Sequence, residues 1–420
     1  MDVHGLTPAR QLDVGDIPVG PDLFLLVKNA LQRMQQGQLL EVIGSGSHIK
    51  HDLQSWCRLN RHTFVMALDA GDHYRFLIRN NPVKELEQPD WGIKLPLRKD
   101  GRLDIRDWFL GRVGELREQA PAYVGFVPRG AVAEPGVPDF GFGLNRKDDV
   151  WSGNLLDLYE QAKEKQWNAS TDIAWNELPE LPEEMEWAVC QIMTFLAENE
   201  YSALYIPAKF MAQISPHYIE ALMYLSTLIQ DESRHIEAFT KRALAGGGGL
   251  QYSSALTERS LHSLFIQEDY FKSSFLLHVL GEGTFLDLLT FIEEHAPDPV
   301  TRQIVALAKI DEGRHVAYGI GHVRHIIECH PGMVQALVDA ANERNEYLDA
   351  AGAGENSHLM EALAILAGGG RKPEQLKRGF ALVRKLKDVM HEHRMQRLLQ
   401  IGLERDTAET ISRTHTPNFM

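Results

Sequence analysis

The stretch DESRHIEAF at 231–239 returns in near copy as DEGRHVAYG at 311–319. Each copy sits among apolar residues at helical spacing, and residues three apart share one helix face. Glu232 with His235, and Glu312 with His315, can each present a carboxylate and an imidazole to one metal ion. A single Glu-x-x-His is commonplace in helices. A doubled one restricts the chain to a helical arrangement in which the two faces meet.

Such a site needs further carboxylates from neighbouring helices. FLLHVLGEGTFLDLLTFI (275–292) carries Glu282 in an otherwise apolar run, and TFLAENEYSALYIPAKF (194–210) offers Glu198 and Glu200. Each precedes its Glu-x-x-His by about 30 residues, enough for a helix to end, turn and run back antiparallel. Two Glu-x-x-His helices and two Glu helices, all pointing inward, are the ligand set of ferritin-like di-metal carboxylate proteins. Helical phase alone does not separate Glu198 from Glu200. Four carboxylates and two imidazoles suit two hard or borderline cations, iron first and manganese second. Asp231 and Asp311 are candidates to accept the second ring N–H of the histidines, and Arg234 and Arg314 to offset carboxylate charge.

The rest of the chain agrees with a mainly α fold. Helical patterns fill 154–166, 183–212, 216–244, 256–296, 299–328, 332–351, 356–367 and 372–402, separated by breakers such as ISPH, AGGGG, APDP and HPG. This predicts a four-helix bundle with extra C-terminal helices over 151–420. Residues 1–82 read instead as a small α+β domain: a helix at 21–37, a strand at 39–44, a helix at 48–60 and two strands within 62–80 around Ala70-Gly71-Asp72. Residues 83–150, rich in Pro, Gly and aromatics, read as a connecting region.

A net charge of −15, from 58 acidic and 43 basic side chains, argues against a nucleic-acid surface or docking on anionic lipid. Three scattered cysteines, Cys57, Cys190 and Cys329, offer no zinc spacing and fit a reducing compartment. The N-terminus has neither the basic start nor the apolar core of a signal peptide, and no uncharged apolar run has bilayer length, so a cytoplasmic location is expected. Tyr201, Tyr205 and Tyr318 lie within a turn of the proposed ligands; packing is the plainer expectation for them, as it is for Thr284 to bond its own backbone. His278, His322 and His325 are expected in structural or surface roles, and Glu293 and Glu294 as solvated charges.

DESRH and DEGRH resemble the D-E-x-R-H motifs in the hydroxylase subunits of bacterial di-iron monooxygenases. ENEYSAL resembles the E-Y-x-A stretch around the first ligand of those proteins, which implies Glu200. LYEQAKEKQWNASTDIAW (158–175) resembles the lead-in segment of ferritin-like oxygenases and of ribonucleotide reductase small-subunit relatives. The likeness spans roughly residues 155–330 and does not extend to the hydrocarbon substrates of the hydroxylases. Within 1–82, LLVKNALQRMQQGQLLEVIG, HDLQSWCRLNRHTF and HYRFLIRN resemble the TusA-like (SirA-like) sulfur-carrier domain. Where that family has the Cys of its Cys-Pro-x-Pro motif this chain has Gly20, followed by Pro21. The resemblance therefore implies a degenerate carrier, kept to dock a partner, to position the bundle or to bind substrate. Cys57 matches a second cysteine of the family and is expected in the core.

Together these features predict a dioxygen-activating di-iron oxidoreductase, an oxygenase, hydroxylase or N-oxygenase. Its metal ligands would be Glu200, Glu232, His235, Glu282, Glu312 and His315, with the four glutamates at the reacting centre. Two iron ions, or a manganese–iron pair, would use dioxygen as co-substrate. A small-molecule substrate, an external reductase or ferredoxin and a homodimeric state are expected, because no flavin, nicotinamide or iron–sulfur motif is visible. The rival readings are a non-catalytic di-metal protein for iron storage or metal and redox sensing, and a radical-generating or two-electron oxidase of the ribonucleotide-reductase-like kind.

Overall fold

The computed structural model describes residues 6–81, 97–110, 116–121, 125–131, 133, 136–350 and 356–415. The chain divides into two compact units, Met1–Asp90 and Trp91–Met420. Residues 82–96, at the start of the expected connecting region, lie outside the described residues.

In the first unit the elements are β1 (Arg10–Gly15), α1 (Pro21–Gln32), β2 (Leu39–Gly44), α2 (Ile49–Leu59), β3 (Thr63–Asp69) and β4 (Tyr74–Arg79). The sheet runs β1-β2-β4-β3, with β1 parallel to β2 and the other pairs antiparallel. A parallel pair needs a crossover, and α1 supplies it. Strand β1 was not anticipated: of RQLDVG only Val14 is buried, too little for a legible alternation. Pro21 occupies the first turn of α1, where its missing N–H costs no helical bond. Leu23, Val27 and Leu31 of α1 and Leu53 and Cys57 of α2 close over Val42, Phe76 and Ile78 of the sheet. Burial pushes the Cys57 thiol up to about 12.

The second unit is helical: α3 (Leu155–Glu164), α4 (Glu183–Met211), α5 (Ile219–Ala245), α6 (Ala255–Phe265), α7 (Tyr270–Ser274), α8 (Glu282–His295), α9 (Pro299–Cys329), α10 (Val334–Ala350), α11 (Ser357–Gly368), α12 (Pro373–Gln400) and α13 (Arg405–His415). Helices α4 and α5 form one hairpin, α8 and α9 another, and α5 meets α9 across the middle; α11 and α12 cover α4 and α8. This is the ferritin-like arrangement of two helical hairpins. The expected single helix 256–296 is in fact three helices and a π-helical segment, Phe275–Gly281, that leads directly into α8. The break is set by Asp269, whose carboxylate accepts the Lys272 N–H at 3.0 Å and starts α7. Apolar periodicity runs on through it and hides it. Helix α13 was also missed, since few of its positions are apolar.

From Tyr270 to His295 the chain is long and apolar enough to cross a bilayer by composition, yet 89% of its most apolar window is buried inside the protein. The apolarity belongs to the bundle core. Part of the expected connecting region also packs on the bundle. The buried Arg129 pairs with Glu220 and donates to the His217 carbonyl at 2.7 Å, while Tyr218 Oη donates to the Glu118 carbonyl at 3.1 Å. At one end of the bundle the fully buried Arg242 of α5 bonds Glu186 of α4, and Asp298 and Thr301 at the start of α9. That network links three helices at fixed rotation, which the centre requires.

Cys57 and Cys190 are buried and Cys329 is exposed. Native protein should therefore react with a thiol reagent at Cys329 alone, with the other two following only in denaturant. Fast modification of two or more thiols would contradict this packing.

Candidate metal centre

The six residues singled out from the sequence converge at the middle of the bundle. Glu200 comes from α4, Glu232 and His235 from α5, Glu282 from the first turn of α8, and Glu312 and His315 from α9. All are at most 2% exposed. They form two groups whose ligand atoms lie within 4.8 Å of one another: Glu200, Glu232, His235 and Glu312, and Glu232, Glu282, Glu312 and His315.

Glu232 and Glu312 belong to both groups, and their oxygens divide accordingly. Glu232 Oε2 is 3.5 Å from His235 Nδ1 and Oε1 is 2.9 Å from His315 Nδ1. Glu312 Oε1 is 3.3 Å from His235 Nδ1 and Oε2 is 3.4 Å from His315 Nδ1. Glu200 Oε1 lies 3.4 Å from His235 Nδ1. Glu198 points elsewhere: it accepts from Ser253 Oγ at 2.5 Å, and burial with Glu258 beside it pushes its carboxyl up to about 7.

Both histidines aim Nδ1 at the glutamates and Nε2 away from them. His235 Nε2 is 3.2 Å from Asp311 Oδ2, and His315 Nε2 is 3.5 Å from Asp231 Oδ2. Each motif thus supplies the aspartate behind the other motif's histidine. Asp231 and Asp311 are in turn clamped by both Arg234 and Arg314. Asp311 also accepts from Trp167 Nε1 at 2.8 Å, and the Arg234 guanidinium stacks over the Trp167 ring. For His235 the Nε2 contact is a hydrogen bond, which fixes the tautomer and leaves the Nδ1 lone pair facing the cluster; the His315 contact is longer and is not aligned as one.

The donor set fits two metal ions by its unpartnered atoms. Glu200 Oε1, both oxygens of Glu232 and Glu312, Glu282 Oε1 and the Nδ1 atoms of His235 and His315 are buried without a hydrogen-bond partner. Their close approaches are not aligned as hydrogen bonds. Buried polar atoms are almost always satisfied, so so many converging orphans mark a place for cations.

Several neighbours were missed or misjudged from sequence. His278, expected to be structural or at the surface, is buried, and its Nδ1 lies 2.7 Å from Glu282 Oε2. It stands four residues before Glu282, on the same face, within the π-helical segment. Its ring meets that of Tyr318, whose hydroxyl hydrogen-bonds Tyr270 Oη at 2.7 Å. His322 is buried, bonds Ser274 Oγ and the Asp149 carbonyl, and is pushed down to about 3 by burial. Trp167 follows α3 within the lead-in stretch 158–175, and no spacing ties it to the two motifs. Tyr201 and Tyr205 are exposed on α4, away from the cluster. Thr284 bonds the Leu280 carbonyl of its own helix at 2.7 Å.

Electrostatics make the metal-free centre pH-sensitive. Burial opposes charge on His235 and His315, but the surrounding carboxylates outweigh it and hold both well above the usual imidazole value. Burial, then Glu232 and Glu312, push Glu200 up; burial chiefly does the same for Glu282. A raised folded-state pKa contributes stability below the unfolded value and loses it as pH rises. The carboxyls Glu200 and Glu282 start to lose theirs above about 4.5, and the imidazoles above about 6.5. Bound metal removes this loss, and fewer protons compete with it at higher pH. The rise in Tm on adding ferrous iron without oxygen should therefore be larger at pH 8 than at pH 6; a smaller rise would contradict the assignment. Asp311→Ala should weaken metal binding about 10- to 100-fold by freeing the His235 ring, measured against a competing chelator.

Comparison with known proteins gives two results. Residues 20–80 match the family model described as Sulfurtransferase TusA, so the match falls on the first unit alone. Its structure has Gly20 at the start of α1 and its one cysteine, Cys57, in the core. Among solved structures the chain is similar to an R2-like ligand-binding oxidase with an aerobically reconstituted Mn/Fe cofactor: 19% identity, TM-score 0.47, covering 61% of this chain and 94% of that one. A variant of such an oxidase with an aerobically reconstituted Fe/Fe cofactor gives 18% identity and a TM-score of 0.48 over 61% of this chain and 95% of the other.

Proposed function

We infer that the helical unit is a dioxygen-activating di-metal oxidoreductase. The observation that carries this reading is the buried set of four glutamates and two histidines whose ligand atoms have no other partner. One ion would take Glu200 and His235, the other Glu282 and His315, with Glu232 and Glu312 reaching both. Iron fits the carboxylate-rich donors first, and a manganese–iron pair is the second choice. When bound, the metals supply the dioxygen and redox chemistry that no side chain here can perform.

The chain's own residues do the rest. Glu232 and Glu312 would hold the two positions close together, Asp311 keeps the His235 imidazole in the ligating tautomer, and Asp231 stands behind His315. Glu282, hydrogen-bonded to His278, is the terminal carboxylate with a neighbour able to give or accept a proton. The apolar wall of Leu276, Leu277 and Leu280 keeps bulk water from that side. Electrons would come from an external donor, and the series Trp167–Asp311–His235 offers a short hydrogen-bonded route towards the first position. The exposed Tyr201, Tyr205, Phe265 and Ile266 support a homodimer reading. An oxygenase or oxidase acting on a small organic molecule suits a centre enclosed by the extra C-terminal helices better than storage does, since those helices cover α8 instead of opening it.

The test is to load metal-depleted protein with ferrous iron without oxygen, count iron and then add oxygen. About two irons per chain and a transient near-ultraviolet or visible band are expected. Glu200→Ala should abolish the band and Glu198→Ala should leave it. No stoichiometric uptake would sink the reading, and many irons per chain would replace it with storage.

A further inference from the structure

The C-terminal helices bring arginines into the interior beside α8. Arg394 and Arg397 of α12 are 1% and 8% exposed. Arg394 Nη1 donates to the Ser412 carbonyl at 3.0 Å, and Nη2 reaches Thr284 Oγ1 at 3.4 Å. Arg397 Nη1 lies 3.7 Å from Asp287 Oδ2, a carboxylate already engaged by His393 at 2.6 Å. Arg394 Nε and Arg397 Nε and Nη2 are buried with no partner. Among the described residues Asp287 is the one carboxylate paired with either guanidinium.

This is an uncommon balance. Arginine is almost never fully buried unless paired, because desolvating its charge is costly. Here Arg397 alone is paired with the aspartate, and Arg394 has no carboxylate partner among the described residues. Burial and each other's proximity push Arg394 down from the usual arginine value. The fold also makes room for the pair: a Cβ at Gly283 would lie 2.4 Å from Arg397 Nε. Gly283 directly follows Glu282, so Arg397 rests on the flank of the turn that carries a proposed ligand. Thr414, two residues beyond the Ser412 that Arg394 bonds, lines a water-sized pocket with Leu276, Leu280, Arg344 and Leu348. Leu276 and Leu280 belong to the π-helical segment one turn before Glu282.

We propose that Arg394 and Arg397 bind the carboxylate of a small organic substrate. The unpaired N–H groups suit a carboxylate, and one negative charge restores neutrality. Calling the ligand a substrate rests on the di-metal reading above; the anion site itself does not.

The test is thermal denaturation of the full-length protein, metal-free and iron-loaded, with short-chain and aromatic carboxylates, their amides, and inorganic phosphate. Carboxylates should raise Tm, and amides and phosphate should not. Arg394→Met should lose the response while its ligand-free Tm stays at or above that of the unmodified protein, because the buried charge without a carboxylate partner is gone. Arg397→Lys, which keeps the charge and loses the fork, should bind about 10-fold more weakly or worse. Iron uptake should be unchanged in both. A lower ligand-free Tm with an intact carboxylate response would make the arginines structural and overturn the site. Equal responses to phosphate and carboxylate would overturn the ligand class. Carboxylate binding without iron uptake would sink the di-metal reading and leave the anion site standing; iron uptake without carboxylate binding would do the reverse.

Discussion

Carboxylates crowded into an apolar bundle repel one another, and the structure depends on how that repulsion is answered. Asp231 and Asp311 are answered within the chain by Arg234 and Arg314, which clamp both. Glu200, Glu232, Glu282 and Glu312 have no such cations. Two divalent ions would balance four ionised glutamates; without them the site takes up protons, as the raised values of Glu200, Glu282 and both histidines indicate. Leaving such groups buried and uncompensated would cost several kcal/mol each. In the proposed reading the centre is both the reacting site and a clasp between the two helical hairpins that bound metal would tighten.

The convergence of these six side chains was legible because helix geometry turns sequence spacing directly into position. Glu-x-x-His puts two donors on one face, and one hairpin length brings the upstream glutamate opposite. Glu198 against Glu200 was not legible, since both have apolar neighbours at helical spacing; only packing turns Glu200 inward and Glu198 towards Ser253. Spacing does not report the π-helical segment before Glu282 either, and its residues read as ordinary apolar helix. His278 and Trp167 come to the centre through that segment and through the chain after α3, with no periodic signal. The arginines of α12 were hidden for a related reason: RMQR on a charged helix reads as a solvated face, and only the cover by α13 makes it interior.

The first unit shows the same division. Its α1, β2, α2 and hairpin were readable, whereas β1 depends on pairing with β2, a partner distant in sequence. Gly20 stands at the start of α1, and burial holds the Cys57 thiol well above its usual value, so neither position offers a reactive thiolate.

The central claim is that two metal positions share Glu232 and Glu312. Anomalous diffraction at the iron edge from iron-soaked crystals tests it most directly. Two peaks are expected, one beside Nδ1 of His235 and Glu200, the other beside Nδ1 of His315 and Glu282, with both shared glutamates between them. A single peak, or iron only at surface carboxylates, would contradict the account.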